Sequence, residues 1–147
     1  MRTLLVLLVL GLGLGLGQGL VKGLTPGEVE AFLQATDVSY ERREARLFSV
    51  TVGGLKAWLE LDWCEGERCG LLALSSGFKK QVSLERINEW NRRFRFGRAY
   101  LDEDGDAWIE TELDVSEGLS WEAVREFVRL FTEKVLPRFA EHIGFKR

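Results

Sequence analysis

Hydrophobic positions in this chain recur with two different periods, and the switches between them mark the elements. Thr25-Pro26-Gly27-Glu28 is a helix start: Thr25 caps, proline suits the first helical position and Glu28 completes a capping box. That helix is expected to reach about Ala35 and to pack Val29, Phe32 and Leu33. Over residues 38–52 the period moves toward two, with Val38-Ser39-Tyr40 extended and Phe48, Val50 and Val52 alternating, which reads as one broken or bulged strand. Gly53-Gly54 then turns the chain into a hairpin. Its first arm alternates Leu55, Ala57, Leu59, Leu61 and Trp63 with Lys56, Trp58, Glu60, Asp62 and Cys64. Its second alternates Gly70, Leu72, Leu74, Ser76 and Phe78 with Cys69, Leu71, Ala73 and Ser75. If Cys64 lies opposite Cys69 across Glu65-Gly66-Glu67-Arg68, both apolar sets fall on one face.

A second helix follows, capped by Ser83, with Leu84, Ile87, Trp90 and Phe94 on its apolar side. Beyond Phe94 the period returns to two, and Glu103-Asp104-Gly105 joins two strands. A two-residue Asp-Gly turn would set Leu101 opposite Trp108 and Arg98 opposite Thr111. A three-residue loop with Gly105 as the left-handed bulge residue shifts the pairing by one. Arg98 then faces Glu110, Ala99 faces Ile109, Tyr100 faces Trp108 and Leu101 faces Ala107. We take the bulged register, because it pairs opposite charges and stacks aromatics. The last helix starts at Ser120, buries Trp121, Val124, Phe127, Val128 and Phe131, and is ended or kinked by Pro137, with a short helical tail stopped by Gly144.

The runs Asn88-Glu89-Trp90-Asn91 and Arg95-Phe96-Gly97-Arg98-Ala99-Tyr100-Leu101-Asp102, with the acidic turn after them, closely resemble the YbjN-type family. The resemblance fades before Gly53 and continues through Phe139 to Ile143; a single Gly118 stands where the family pattern has a glycine pair. It implies a bacterial regulator with a fold like that of type III secretion chaperones, and it supplies no catalytic residues. Together with the periodicity, it gives an α+β class: one antiparallel sheet with helices on one face, in the order α-β-β-β-α-β-β-α.

Composition changes the picture mainly at the N-terminus. Arg2 precedes an apolar run from Leu4 to Leu16, the size of a signal-peptide core and short for a membrane span. Residues 1–19 therefore read as a leader cleaved near Gly17 or Gly19, and residues 20–147 as one domain. The expectation is an exported chain, periplasmic or extracellular, anchored only if the leader stays on. The full chain has 20 basic and 23 acidic residues, a net −3. On that charge balance a mildly acidic domain is a poor nucleic-acid binder. In an oxidising compartment, the only two cysteines, Cys64 and Cys69, are expected to form a disulfide; four intervening residues do not fit a Cys-x-x-Cys redox pair.

The candidate chemistry is sparse. His142 stands near a helix end, no serine or cysteine has a histidine partner nearby, and no cofactor or metal is implied. Asp102, Asp104 and Asp106 suggest calcium, but the glycine is misplaced for a helix–loop–helix site. We therefore expect a non-enzymatic binding or chaperone-like regulatory module of the cell envelope, forming a homodimer and acting on a protein partner. Trp58, Leu71, Arg98, Tyr100, Trp108 and Glu110 would form its docking face. The alternative is a small-ligand or calcium-responsive sensor using Asn88, Asn91 or the acidic turn.

Overall fold

The structure, a computed structural model, describes residues 19–36 and 38–146. The expected leader, residues 1–19, lies outside the described residues except for Gly19. Helix α1, Pro26–Gln34, begins in the capping box its sequence announces: Glu28 N–H donates to Thr25 Oγ1 at 3.2 Å and Thr25 N–H to Glu28 Oε2 at 2.8 Å. The segment just before it is tied into the sheet. Leu24 exchanges two backbone hydrogen bonds with Cys69, both 2.8 Å, and Val21 exchanges two with Leu119. Arg68 secures the same corner, its guanidinium donating to the carbonyls of Lys22 and Gly23 and to the Glu28 carboxylate.

Six strands form one antiparallel sheet in the order β1-β2-β3-β4-β6-β5. They are β1 (Ser39–Glu44), β2 (Leu47–Val52), β3 (Leu55–Glu65), β4 (Arg68–Gln81), β5 (Arg98–Leu101) and β6 (Asp106–Asp114). The single broken strand expected over 38–52 is instead the hairpin β1–β2. Arg42 closes its turn by donating to the carbonyl of Ala45 at 2.8 Å and lies over the Phe48 ring. β1 is too charged for its sequence to announce a strand. Gly53 and Gly54, both at positive φ, make the next turn a two-residue type that matches the strand twist. Gly66 does the same between β3 and β4, where the Cys64–Cys69 disulfide is formed.

The β3–β4 alternation breaks near its tip. Trp63, expected among the buried positions, sits at φ 54° and is 61% exposed. Its N–H donates to the Asp62 carboxylate at 2.8 Å, which holds the left-handed conformation in place. Beyond this kink the faces exchange, so Cys69, placed by alternation on the outer set, is fully buried in the core. The β5–β6 hairpin has the bulged register: Arg98 faces Glu110, Ala99 Ile109, Tyr100 Trp108 and Leu101 Ala107, with Gly105 at φ 80°.

The helices lie on one face. α2 (Leu84–Arg93) is capped by Ser83 and buries Ile87 and Trp90. Leu84, expected on its apolar side, is 73% exposed, because the first turn projects past the edge of the core. Phe96 and Gly97 explain the motif that follows. Phe96 turns the chain at φ 63°, and Gly97 is squeezed so closely between Ile109 and Val135 that a Cβ would lie 2.9 Å from the former. Gly97 also accepts the Trp90 indole N–H at 3.1 Å. α3 (Trp121–Leu130) passes into a π-helical segment, Phe131–Val135, and then α4, Leu136–His142. Pro137 shapes this path: it has no N–H to continue the α pattern, and Leu136 N–H reaches back five residues to the Phe131 carbonyl. Instead of a kink, the chain widens by one residue and continues. Phe48, Leu59, Leu74, Ile109, Trp90, Phe131 and Phe139 meet in a single core between sheet and helices.

Candidate functional site: the outer face of the sheet

The face of the sheet away from the helices carries the residues with chemistry to offer. One row runs across all six strands, pairing Glu41 with Ser49, Ser49 with Trp58, Trp58 with Ser75, Ser75 with Glu110, and Glu110 with Arg98. Arg98 and Glu110 form an ion pair. On the neighbouring row Gly77 faces Trp108, which faces Tyr100. The Tyr100 and Trp108 rings are nearly parallel, 13° apart with centroids at 6.3 Å, and the Lys56 ammonium lies 4.6 Å over the Trp58 ring.

Gly77 decides how these aromatics sit. A Cβ there would be 2.5 Å from the Trp108 ring, so glycine alone lets the indole lie flat on β4. A groove of about 300 Å³ remains between Trp58 and Trp108, floored by Gly77 and bordered by Lys56, Lys79, Asp102 and Asp106. The other half of the face is acidic: Glu60 and Glu112 flank Ala73, and Asp62 and Asp114 flank Leu71. Leu71 itself is 9% exposed, so it offers less surface than expected. As a short side chain in a central strand, it is overshadowed from both neighbouring strands.

The acidic turn is organised around Asp102. Its Oδ1 accepts the N–H groups of Asp104 (3.0 Å) and Asp106 (2.9 Å), and its Oδ2 accepts the Trp108 indole N–H at 3.0 Å. The Trp108 bond first, then the two backbone donors and the charge of Lys79, hold its carboxyl below the usual range. Both oxygens are thus committed to the hairpin. Among the described residues no three His, Cys, Asp or Glu side chains gather as a metal site. Burial pushes the Tyr100 phenol up.

Of the polar pair on α2, Asn91 is also committed. Its Oδ1 accepts the Ala99 N–H at 2.9 Å and its Nδ2 donates to the Ala99 carbonyl at 3.0 Å. The amide mimics one residue of a further strand, along the open edge of β5. Asn88 is exposed and lines a shallow hollow on α2 with Ser83, Glu85 and Arg92. His142 Nε2 lies 2.8 Å from the Arg86 carbonyl and ties α4 to α2. The alternation of β3 puts Lys56 on this face beside Trp58, as found, but does not single out Gly77; a glycine inside an otherwise continuous strand opposite a tryptophan is the signal for it.

This arrangement defines a class: an antiparallel sheet backed by helices on one face, with aromatic and charged residues spread over the other. The chain belongs to the YbjN family, described as "Putative bacterial sensory transduction regulator", which it matches over residues 25–145. A comparison with curated proteins returned no match. The fold itself starts slightly earlier, at the pinned segment Val21–Leu24.

Proposed function

We propose that this protein is a non-enzymatic regulatory module of the bacterial cell envelope that docks a protein on the outer sheet face, a second copy of the chain being the first partner to test. The observation that carries this reading is the strip Trp58, Trp108 and Tyr100, set among Lys56, Arg98 and Glu110. Large rings ringed by charge are the anchor-and-rim pattern of protein interfaces. The sheet edges favour the same choice. β1 carries Glu41, Arg42, Arg43 and Glu44 with a bulge after Arg42, and β5 has its Ala99 backbone groups occupied by Asn91. Both are devices that discourage strand addition, which leaves the face as the better surface. The sensor reading has less support, since Asn91 and Asp102 spend their polar atoms on the fold.

The test is the double variant Trp58→Ser with Trp108→Ala, followed by light scattering and thermal melting. Loss of self-association with a nearly unchanged melting temperature supports docking through this face. A large drop in melting temperature with an unchanged assembly state would assign these rings to stability instead.

A further inference from the structure

Folding collects on the helical side a basic cleft from two distant stretches, Arg93 and Arg95 of the run Arg92-Arg93-Phe94-Arg95, and Lys134 and Arg138 some forty residues later. It has a volume of about 430 Å³ and lies between the end of α2, the turn into β5 and the π-helical segment; Arg93, Arg95, Lys134 and Arg138 line it with Phe94 and Phe96. Arg93 shares the Glu89 carboxylate at 2.7 Å, while Arg95, Lys134 and Arg138 have no ion pair among the described residues. Arg138 lies over the Phe94 ring at 4.8 Å, which fixes one cation at the wall. The nearest acid on the π segment, Glu133, is drawn to Arg129 on its other side at 3.1 Å.

Three unpaired cations around one cavity in a chain of net charge −3 run against the overall balance. Phe96 adds a second, independent feature. It is 63% exposed and held at φ 63°, a conformation costly for an aromatic residue, at the mouth of the same cleft. Lys134 reaches the cleft from the π-helical turn, a distortion common at functional sites.

We propose that this cleft binds a phosphate group carried on an apolar body. The charge count selects the head: three cations lining one cleft match a phosphate better than a single carboxylate, and guanidinium groups can meet its oxygens two at a time. The exposed Phe96 ring, beside Phe94, selects the apolar attachment. The same chemistry is found in a soluble phosphate ester and in an anionic lipid headgroup at a membrane surface. The site lies on different elements from the aromatic strip, so it stands or falls separately from the docking proposal.

The purified full chain is titrated calorimetrically with inorganic phosphate and with phenyl phosphate, and separately sedimented with vesicles of phosphatidylglycerol or of phosphatidylcholine. The comparison variants are Arg95→Gln with Lys134→Gln, both at exposed positions, and Phe96→Ala, each checked for an unchanged melting temperature. Saturable phenyl phosphate binding, tighter than inorganic phosphate and weakened about tenfold or more by the double variant, supports the site with a soluble ester as ligand. Sedimentation with phosphatidylglycerol alone, lost in the double variant and reduced by Phe96→Ala, supports it with a headgroup as ligand. Absence of binding in both arms, or equal binding by the double variant, overturns the proposal.

Discussion

At the scale of single residues, two polar side chains act as pieces of backbone. Asn91 closes the edge of β5 by satisfying both main-chain groups of Ala99. Asn91→Ala should therefore lower stability by about 1–3 kcal/mol, nearer the low end because water can reach an edge strand, as measured by denaturant melts. Asp102 does the equivalent work in the turn, and its depressed pKa gives the effect a direction in pH. A carboxylate whose folded pKa lies below its unfolded value, about 3.9, stabilises fully above that value and ceases to do so as pH falls through the folded one. Protection of the Asp104 and Asp106 amides, taken relative to their intrinsic exchange rates, should thus hold from neutral pH through the ordinary carboxyl range and fall away below it. In Asp102→Ala that protection should be low throughout, with no such step.

At the scale of elements, Trp90 is the largest side chain by which α2 is anchored in the core. Trp90 is 1% exposed, stacks on Phe94 at 4.4 Å, meets Phe139 edge-on at 5.0 Å and donates to Gly97. Trp90→Ala should cost about 3–5 kcal/mol in equilibrium unfolding, since a cavity and an unpaired carbonyl remain. On the opposite side of the sheet, Gly77 and Trp108 work as a pair. Gly77→Ala must push the indole off β4, which should break its bond to Asp102 and shift its fluorescence, with little change in secondary structure by circular dichroism.

At the scale of the whole molecule, one corner gathers distant parts of the chain. The β3–β4 tip, the Val21–Leu24 segment, the start of α1 and the stretch after β6 meet around Cys69, Arg68 and Val115. The Cys64–Cys69 disulfide closes a short loop there, which the chain-entropy treatment values at about 2 kcal/mol. Protein folded under oxidising conditions should show no titratable thiols when denatured, and reductant should lower its melting temperature by up to about 8 °C, which is what about 2 kcal/mol implies for a domain of this size. Two free thiols in such protein would defeat the expectation of an oxidised pair.

The sequence by itself determined whatever depends on near neighbours. Thr25 and Glu28 make their capping box within four residues, and Ser83 and Ser120 cap their helices over the same span. The β5–β6 register follows from Gly105 and the pairing of Arg98 with Glu110 and Tyr100 with Trp108, all within one hairpin. Tertiary structure alone decided the rest. The charged strand β1 has no apolar alternation of its own and is a strand because β2 offers it a ladder. Trp63 turns outward and Cys69 inward because the corner must receive Leu24, a residue some forty positions earlier. Lys134 and Arg138 are distant in sequence from Arg95, and only the packing of the π segment against Gly97 brings them to the same cleft. Local hydrogen bonds and alternation extend over a few residues, whereas faces, corners and clefts are set by which elements share a core.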